Sequence, residues 1–155
     1  MHIQLRIFVF FKYTLNQTAM KTILLIESNN AIRENLAEGL QMEGYHILMS
    51  DNGKKGVELA QACMPDLIIS EILMHEMDGY EVLRLLLDTD KTNKIPFIFS
   101  TTKSEKKDRT LALGLGADDY IVKPYGFEPL FAMAETWIKS GSKRQKNAMD
   151  TPYLN

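Results

Sequence analysis

Cysteine is almost missing from this chain: Cys63 is the only one in 155 residues. A single thiol excludes an internal disulfide and a cysteine-based zinc site, and it suits a reducing, cytoplasmic compartment. An excess of one charge is missing too. The formal net charge is −2, which gives no electrostatic reason to expect nucleic acid as the main partner. A membrane-spanning run is also lacking. The most apolar short stretch, residues 7–11 (Ile7 to Phe11), is far too short for a bilayer, and Lys12 ends it before it could form a signal-peptide core. No internal repeat is present, and nothing marks a second domain.

What remains is ordinary for a globular domain: 45% hydrophobic and 25% charged residues, in a chain long enough to bury a core without staples. Three regions are expected. Residues 1–19 read as a poorly ordered extension, with an extra edge strand or a docking segment as the competing reading, and Met20 could be the natural start. Residues 20–139 form the patterned domain. Residues 140–155 are polar, with basic clusters at Lys143-Arg144 and Lys146, and read as a solvated tail.

Within the domain, short apolar runs at residues 23–26, 47–49, 67–69, 97–99 and 120–122 alternate with longer stretches of helical spacing. The runs are nearly continuous rather than alternating, as parallel strands covered on both faces should be. The helical stripes are Ile32, Leu36, Leu40; Val57, Ala60; Val82, Leu83, Leu86; Leu111, Leu115; and Leu130, Ala134, Trp137, Ile138, all assigned to core packing. Gly44 and Pro65 punctuate helix ends, Asp78-Gly79 marks a turn before the third helix, and Pro96 precedes the fourth strand. Five β-α units imply right-handed crossovers and a doubly wound parallel α/β sheet.

Ligands of such sheets bind beyond the carboxyl ends of the strands. Strand one exits into Glu27-Ser28, strand three into Ser70-Glu71, strand four into Ser100-Thr101-Thr102 and strand five into Lys123-Pro124. Two carboxylates, several hydroxyls and one ammonium should therefore converge. Taken alone, that set fits a structural ion-pair network as well as a reactive site. His75, in the loop after strand three, is expected to be exposed, and His46 has no ligand partners in sequence.

Three segments in order carry a resemblance. Residues 65–79, with Asp66, Glu71, Asp78 and Gly79, resemble the signature around the phosphorylated strand of response-regulator receiver domains. Residues 95–103 are similar to that family's fourth strand, ending in the switch hydroxyl Thr101, and residues 116–125 to its final strand and Lys-Pro loop. The resemblance implies a flavodoxin-like sheet of order 2-1-3-4-5 with helices on both faces. It also implies Tyr120 as the aromatic switch residue, Lys123 as the phosphoryl-binding lysine and a cis bond before Pro124. In the family, an aspartate after strand three accepts phosphate from a histidine kinase, and it holds Mg²⁺ together with an acidic pair after strand one.

Here the acids depart. The acceptor position carries Glu71, and the acidic pair reads Glu27-Ser28. One extra methylene displaces a carboxylate by ~1.5 Å, and misplacement on that scale can cost phosphoryl transfer ~100-fold. Ser28 brings no charge to a cation that demands hard anionic ligands, so the expected cofactor is none, or Mg²⁺ bound weakly by Glu27 and Glu71. The expectation is a non-enzymatic receiver-like module of two-component signalling that acts by protein–protein contact, with Glu71 reaching Lys123 directly. The alternative is a working Mg²⁺-dependent phosphoacceptor. A flavodoxin would need a glycine-bearing phosphate loop after strand one, and a haloacid-dehalogenase-type phosphatase two aspartates flanking one residue; neither is there. The expected partner is a histidine kinase or output protein, with no nucleic acid or membrane. A homodimer through helix four, strand five and helix five would draw on Met133, Phe131 and Trp137, although Met133 stands where one such family uses a salt-bridging arginine.

Overall fold

The computed structural model describes residues 19–144. Five strands, β1 (Thr22–Ile26), β2 (His46–Ser50), β3 (Leu67–Ser70), β4 (Phe97–Thr101) and β5 (Asp119–Val122), alternate with five helices. The helices are α1 (Asn30–Met42), α2 (Gly53–Cys63), α3 (Gly79–Leu87), α4 (Lys106–Leu115) and α5 (Phe127–Ser140). All strand pairs are parallel, in the order β2-β1-β3-β4-β5. The expected flavodoxin-like topology is the one observed.

The continuous apolar runs follow from burial on both faces. Along β1, Leu24 and Ile26 join a core with Val57, Val82, Leu86 and Phe99, while Ile23 and Leu25 join a second core with Leu36, Leu40, Leu130 and Trp137. Helices α2, α3 and α4 thus cover one face, and α1 and α5 the other. Successive side chains point to opposite faces of a strand, so a strand buried on both sides has no solvent-facing position, and the few polar residues of β3 and β4 come at their carboxyl ends. Among the described residues, no helix is long and apolar enough to cross a membrane.

Local signals place the loops. Asn29 and Asn52 cap α1 and α2 by accepting from the amides of Ile32 and Lys55. Asp78 does more than mark a turn: it is the N-cap of α3 and forms a reciprocal capping box with Glu81. Gly79 is pressed against the sheet, where an added Cβ would lie 2.3 Å from the Glu71 carbonyl oxygen, so only glycine lets α3 start so close to the site.

Two expectations fail. Leu111 is 50% exposed, and the fully buried residue of α4 is its neighbour Ala112. The smaller side chain faces the sheet, which turns Leu111 outward. The chain is also not solvated from Ser140 onward, because Ser142 is buried and Arg144 half-buried against the lower sheet edge. The extension proposed for residues 1–19 and the tail from residue 145, with Lys146, lie outside the described residues apart from Ala19.

Candidate functional site

Adjacent strands in register bring the two acids together. Ile26 pairs with Ser70 across β1 and β3, so Glu27 and Glu71 leave the sheet side by side. The Glu71 amide donates to the Ile26 carbonyl at 2.9 Å and that of Glu27 to the Ser50 carbonyl at 3.0 Å. The Lys123 amide donates to the Thr101 carbonyl at 2.8 Å, which carries the β4–β5 ladder one step beyond β5. Ser70 is the last residue of β3, and Ser100 and Thr101 are the last two of β4, so none of them is a loop residue.

The Lys123 ammonium lies between both carboxylates. It donates to Glu71 Oε2 at 2.9 Å and to Glu27 Oε1, with side-chain exposures of 11% for the lysine and 6% for each glutamate. Burial pulls the Lys123 pKa down, but hydrogen bonds and charge attraction from Glu27 and Glu71 outweigh it and raise it above the ordinary lysine value. The other carboxylate oxygens are engaged as well. Glu71 Oε1 accepts from the amides of Ile72 at 2.6 Å and Leu73 at 3.0 Å. Glu27 Oε2 accepts from the Asn29 amide at 3.3 Å. The extra methylene of Glu71 is thus used to fold the carboxylate back over its own following backbone while still meeting Lys123.

Ser28 is exposed and its side chain makes none of these contacts. Arg33, which the sequence reading did not single out, closes this loop by donating to the Glu27 carbonyl at 2.6 Å and to Asn30 Oδ1 at 2.6 Å. Among the described residues, no group of three or more histidine, cysteine, aspartate or glutamate side chains is arranged to hold a metal. Both available carboxylates face an ammonium, so the donor set does not fit Mg²⁺, which needs several hard oxygen ligands free to point at one centre.

Thr101 and Tyr120, expected from the resemblance to act as a switch, lie on the neighbouring strands, and both hydrogen-bond to Lys103. Thr101, fully buried, accepts from the Lys103 amide at 3.2 Å, and the Tyr120 hydroxyl donates to the Lys103 carbonyl at 2.7 Å. The Tyr120 ring is buried edge-on to Phe99 at 6.3 Å. Burial, reinforced by Tyr80 and the negative charges of Asp108 and Glu71, pushes its hydroxyl pKa up to about 12. Lys103, within the β4–α4 turn, is therefore held at both its amide and its carbonyl, and the Thr101 hydroxyl itself makes no hydrogen bond to Glu71 or Lys123. The Lys123–Pro124 bond is cis. Tyr125 follows, and its hydroxyl meets Ser100 Oγ at 2.6 Å, tying the β5–α5 loop to β4. An aromatic residue directly after Lys-Pro was the only sequence signal for that contact.

Outside the cluster, an open cleft of about 440 Å³ runs from Lys123 and Pro124 to Ile32, Leu36 and Phe127. His75 is exposed, as expected, and His46, at the start of β2, is exposed as well. On the side of α4 and β5, the exposed apolar residues are Leu111 and Val122. Phe131 instead stacks on Phe127 beside α1, and Trp137 is buried with its indole N–H on Asp119 Oδ2 at 2.9 Å, so neither supplies the expected apolar contact surface there.

Comparison with known proteins agrees with this geometry. Residues 23–135 match the family model described as response regulator receiver domain. The transcriptional regulatory protein CusR of Escherichia coli K12 is 33% identical over 77% of this chain and 52% of its own length, and the chain spans about half the length of the curated relatives it matches. A signal receiver domain of a histidine kinase from Syntrophus aciditrophicus is 31% identical, with a TM-score of 0.71 over 87% of this chain and 97% of that one. The receiver domain of the sensor histidine kinase PA1611 from Pseudomonas aeruginosa PAO1, solved with magnesium in its active-site cleft, is 27% identical with a TM-score of 0.73, over 79% of this chain and 100% of that one. Sheet order, site placement and family match agree: the chain belongs to the response-regulator receiver domain family.

Proposed function

We propose that this receiver domain signals by protein–protein contact and is not switched by conventional acyl phosphorylation. One observation carries the reading. The Lys123 ammonium sits between the carboxylates of Glu27 and Glu71, and these three side chains, nearly excluded from water, satisfy one another. Phosphoryl transfer requires a carboxylate oxygen free to attack in line, and a cation to neutralise the charge that develops. Glu71 Oε2 is engaged by ammonium and Oε1 by two amides. Ser28 adds no anionic ligand, so Lys123 takes the electrostatic place of a metal.

The switch pair supports the same reading. Tyr120 is buried and its hydroxyl is held by the Lys103 carbonyl, which fits a module fixed in one arrangement. A glutamate carries one charge where an acyl phosphate carries about two, so Glu71 imitates the phosphorylated state only in part. The expected partner is a histidine kinase or an output protein of a two-component pathway, in the reducing cytoplasm. The exposed Leu111 and Val122 beside α4 and β5 offer it, or a second copy, an apolar contact.

The test is incubation with acetyl phosphate and Mg²⁺ followed by intact-mass measurement. No stable adduct of about 80 Da, roughly the mass of a phosphoryl group, should accumulate. Stoichiometric modification at Glu71 would favour the working phosphoacceptor instead and overturn the proposal.

A further inference from the structure

The end of the sheet away from the acidic cluster holds a second buried charge pair, unused by the proposed signalling role. Asp118, just before β5, is buried. Its Oδ2 accepts from the Phe97 amide at 2.9 Å, and its Oδ1 accepts from the Ser142 hydroxyl at 2.9 Å and the Lys143 amide at 2.8 Å. Arg144 Nη1 lies 3.4 Å from Oδ2. The same guanidinium is ringed by backbone carbonyls: Nε donates to Asn93 at 3.1 Å, Nη2 to Ile95 at 2.6 Å, and Nη1 to Gly116.

Three carbonyls and a carboxylate around one planar fork match a guanidinium and not an ammonium, whose three donors diverge from a point. The acceptors come from the α3–β4 loop and from the turn between α4 and β5, so elements other than the one bearing the arginine set the cage. Its carbonyls lie at the ends of secondary elements, where backbone oxygens otherwise need water or a side chain. The sequence around Arg144 is polar and lacks periodicity, which is why local reading assigned it to solvent.

We propose that this cage is a guanidinium-binding site whose occupant is the chain's own Arg144, and that it clamps the segment leaving α5 to the starts of β4 and β5. β4 ends in Thr101, and Tyr120 lies two residues beyond Asp118. The segment Ser142–Arg144 is thereby referenced to the strands that carry Thr101 and Tyr120 and not to α5 alone.

Chemical rescue tests it in the full chain. Arg144→Ala should lower Tm by roughly 5–15 °C, as expected when a partly buried pair loses one member, and should speed exchange of the Phe97 amide by at least ~10-fold. Methylguanidinium at about 20 mM, far below denaturing concentrations, should restore a third or more of the lost Tm in the variant and none in the wild type. Sodium chloride at equal ionic strength should restore none. Failure of methylguanidinium to exceed the salt control, or an equal gain in the wild type, overturns the proposal. If Arg144→Ala does not fold, Arg144→Lys carries the test. It keeps the charge but lacks the fork, so it must lower Tm and speed Phe97 exchange, and wild-type values for both would refute the cage.

Discussion

Replacing Lys123 by Met removes the only ion-pair partner that Glu27 and Glu71 have among the described residues. The two carboxylates would then face each other, 6% exposed, with no cation between them. Breaking a buried pair by removing one partner costs ~3–5 kcal/mol, and two stranded acids place Lys123→Met at the upper end of that range. Glu71→Gln is milder. The amide oxygen can still accept from Ile72 and Leu73, and Lys123 keeps Glu27, so about 1–2 kcal/mol is expected, the cost of a lost charged hydrogen bond. The double variant carries the argument, because Glu71→Gln should cost stability in the wild type but restore it in the Lys123→Met background by removing like-charge repulsion. A coupling of about 2–3 kcal/mol follows.

Urea unfolding of the four proteins at pH 7 measures it, with equal m-values as the check that only native stability has changed. Additive losses within about 0.3–0.5 kcal/mol would mean that the three charges do not interact. The account of Lys123 as the resident cation would then have no physical basis.

Other tests reach the neighbouring residues. Ser28→Asp should strengthen Mg²⁺ binding, read by calorimetry, since it restores an anionic oxygen beside Glu27; equal affinity would place Ser28 away from any metal position. Tyr120, with a hydroxyl pKa raised to about 12 against about 10 when unfolded, binds its proton more tightly in the native state, so its contribution is complete below pH 10 and is lost as pH rises towards 12. Tyr120→Phe should flatten the fall in stability over that window by up to ~2–3 kcal/mol, measured by urea titration at several alkaline pH values; an unchanged slope would refute the burial argument. Gly79→Ala should destabilise by more than ~2 kcal/mol through overpacking, because its Cβ would meet the Glu71 carbonyl, and a neutral result in thermal unfolding would show that α3 can shift. Asn29→Ala should cost ~1 kcal/mol in the same assay through loss of the α1 cap.

The sheet was legible because its signal is local and redundant. Each strand is built on a short apolar run, the central ones are covered on both faces, and the loops carry Asn, Asp and Gly where caps and turns need them. The convergence of Glu27, Glu71 and Lys123 was legible for a topological reason: parallel strands in a known order put their exits at one edge. The choice between Leu111 and Ala112 was not, since helical spacing alone does not say which of two adjacent apolar residues meets the sheet. Nor did local pattern show Asp118 collecting Ser142, Lys143 and Arg144. Those contacts join residues more than twenty apart in a stretch without periodicity. The fold of the Glu71 side chain escaped as well. A sequence gives the reach of an extra methylene but not whether it is used outward or, as here, back over the amides of Ile72 and Leu73.

The two departures from the family's acids make most sense as one electrostatic change. Two buried carboxylates beside one ammonium leave a single formal negative charge, and the amides of Ile72, Leu73 and Asn29 spread that charge by hydrogen bonding. A third acid directed into the same cluster would leave two, a number that one lysine cannot balance and that would favour recruiting a divalent cation. With Ser28 turned to solvent, that requirement disappears. Glu71 then fits where a shorter acid would not be needed: its longer arm satisfies Lys123 and its own backbone together, and no oxygen is left uncommitted for a metal or an attacked phosphorus. Under the proposed phosphorylation-independent role, each substitution removes the reason for what the other lacks, and the Ser28→Asp and Lys123→Met variants test the two halves of that argument separately.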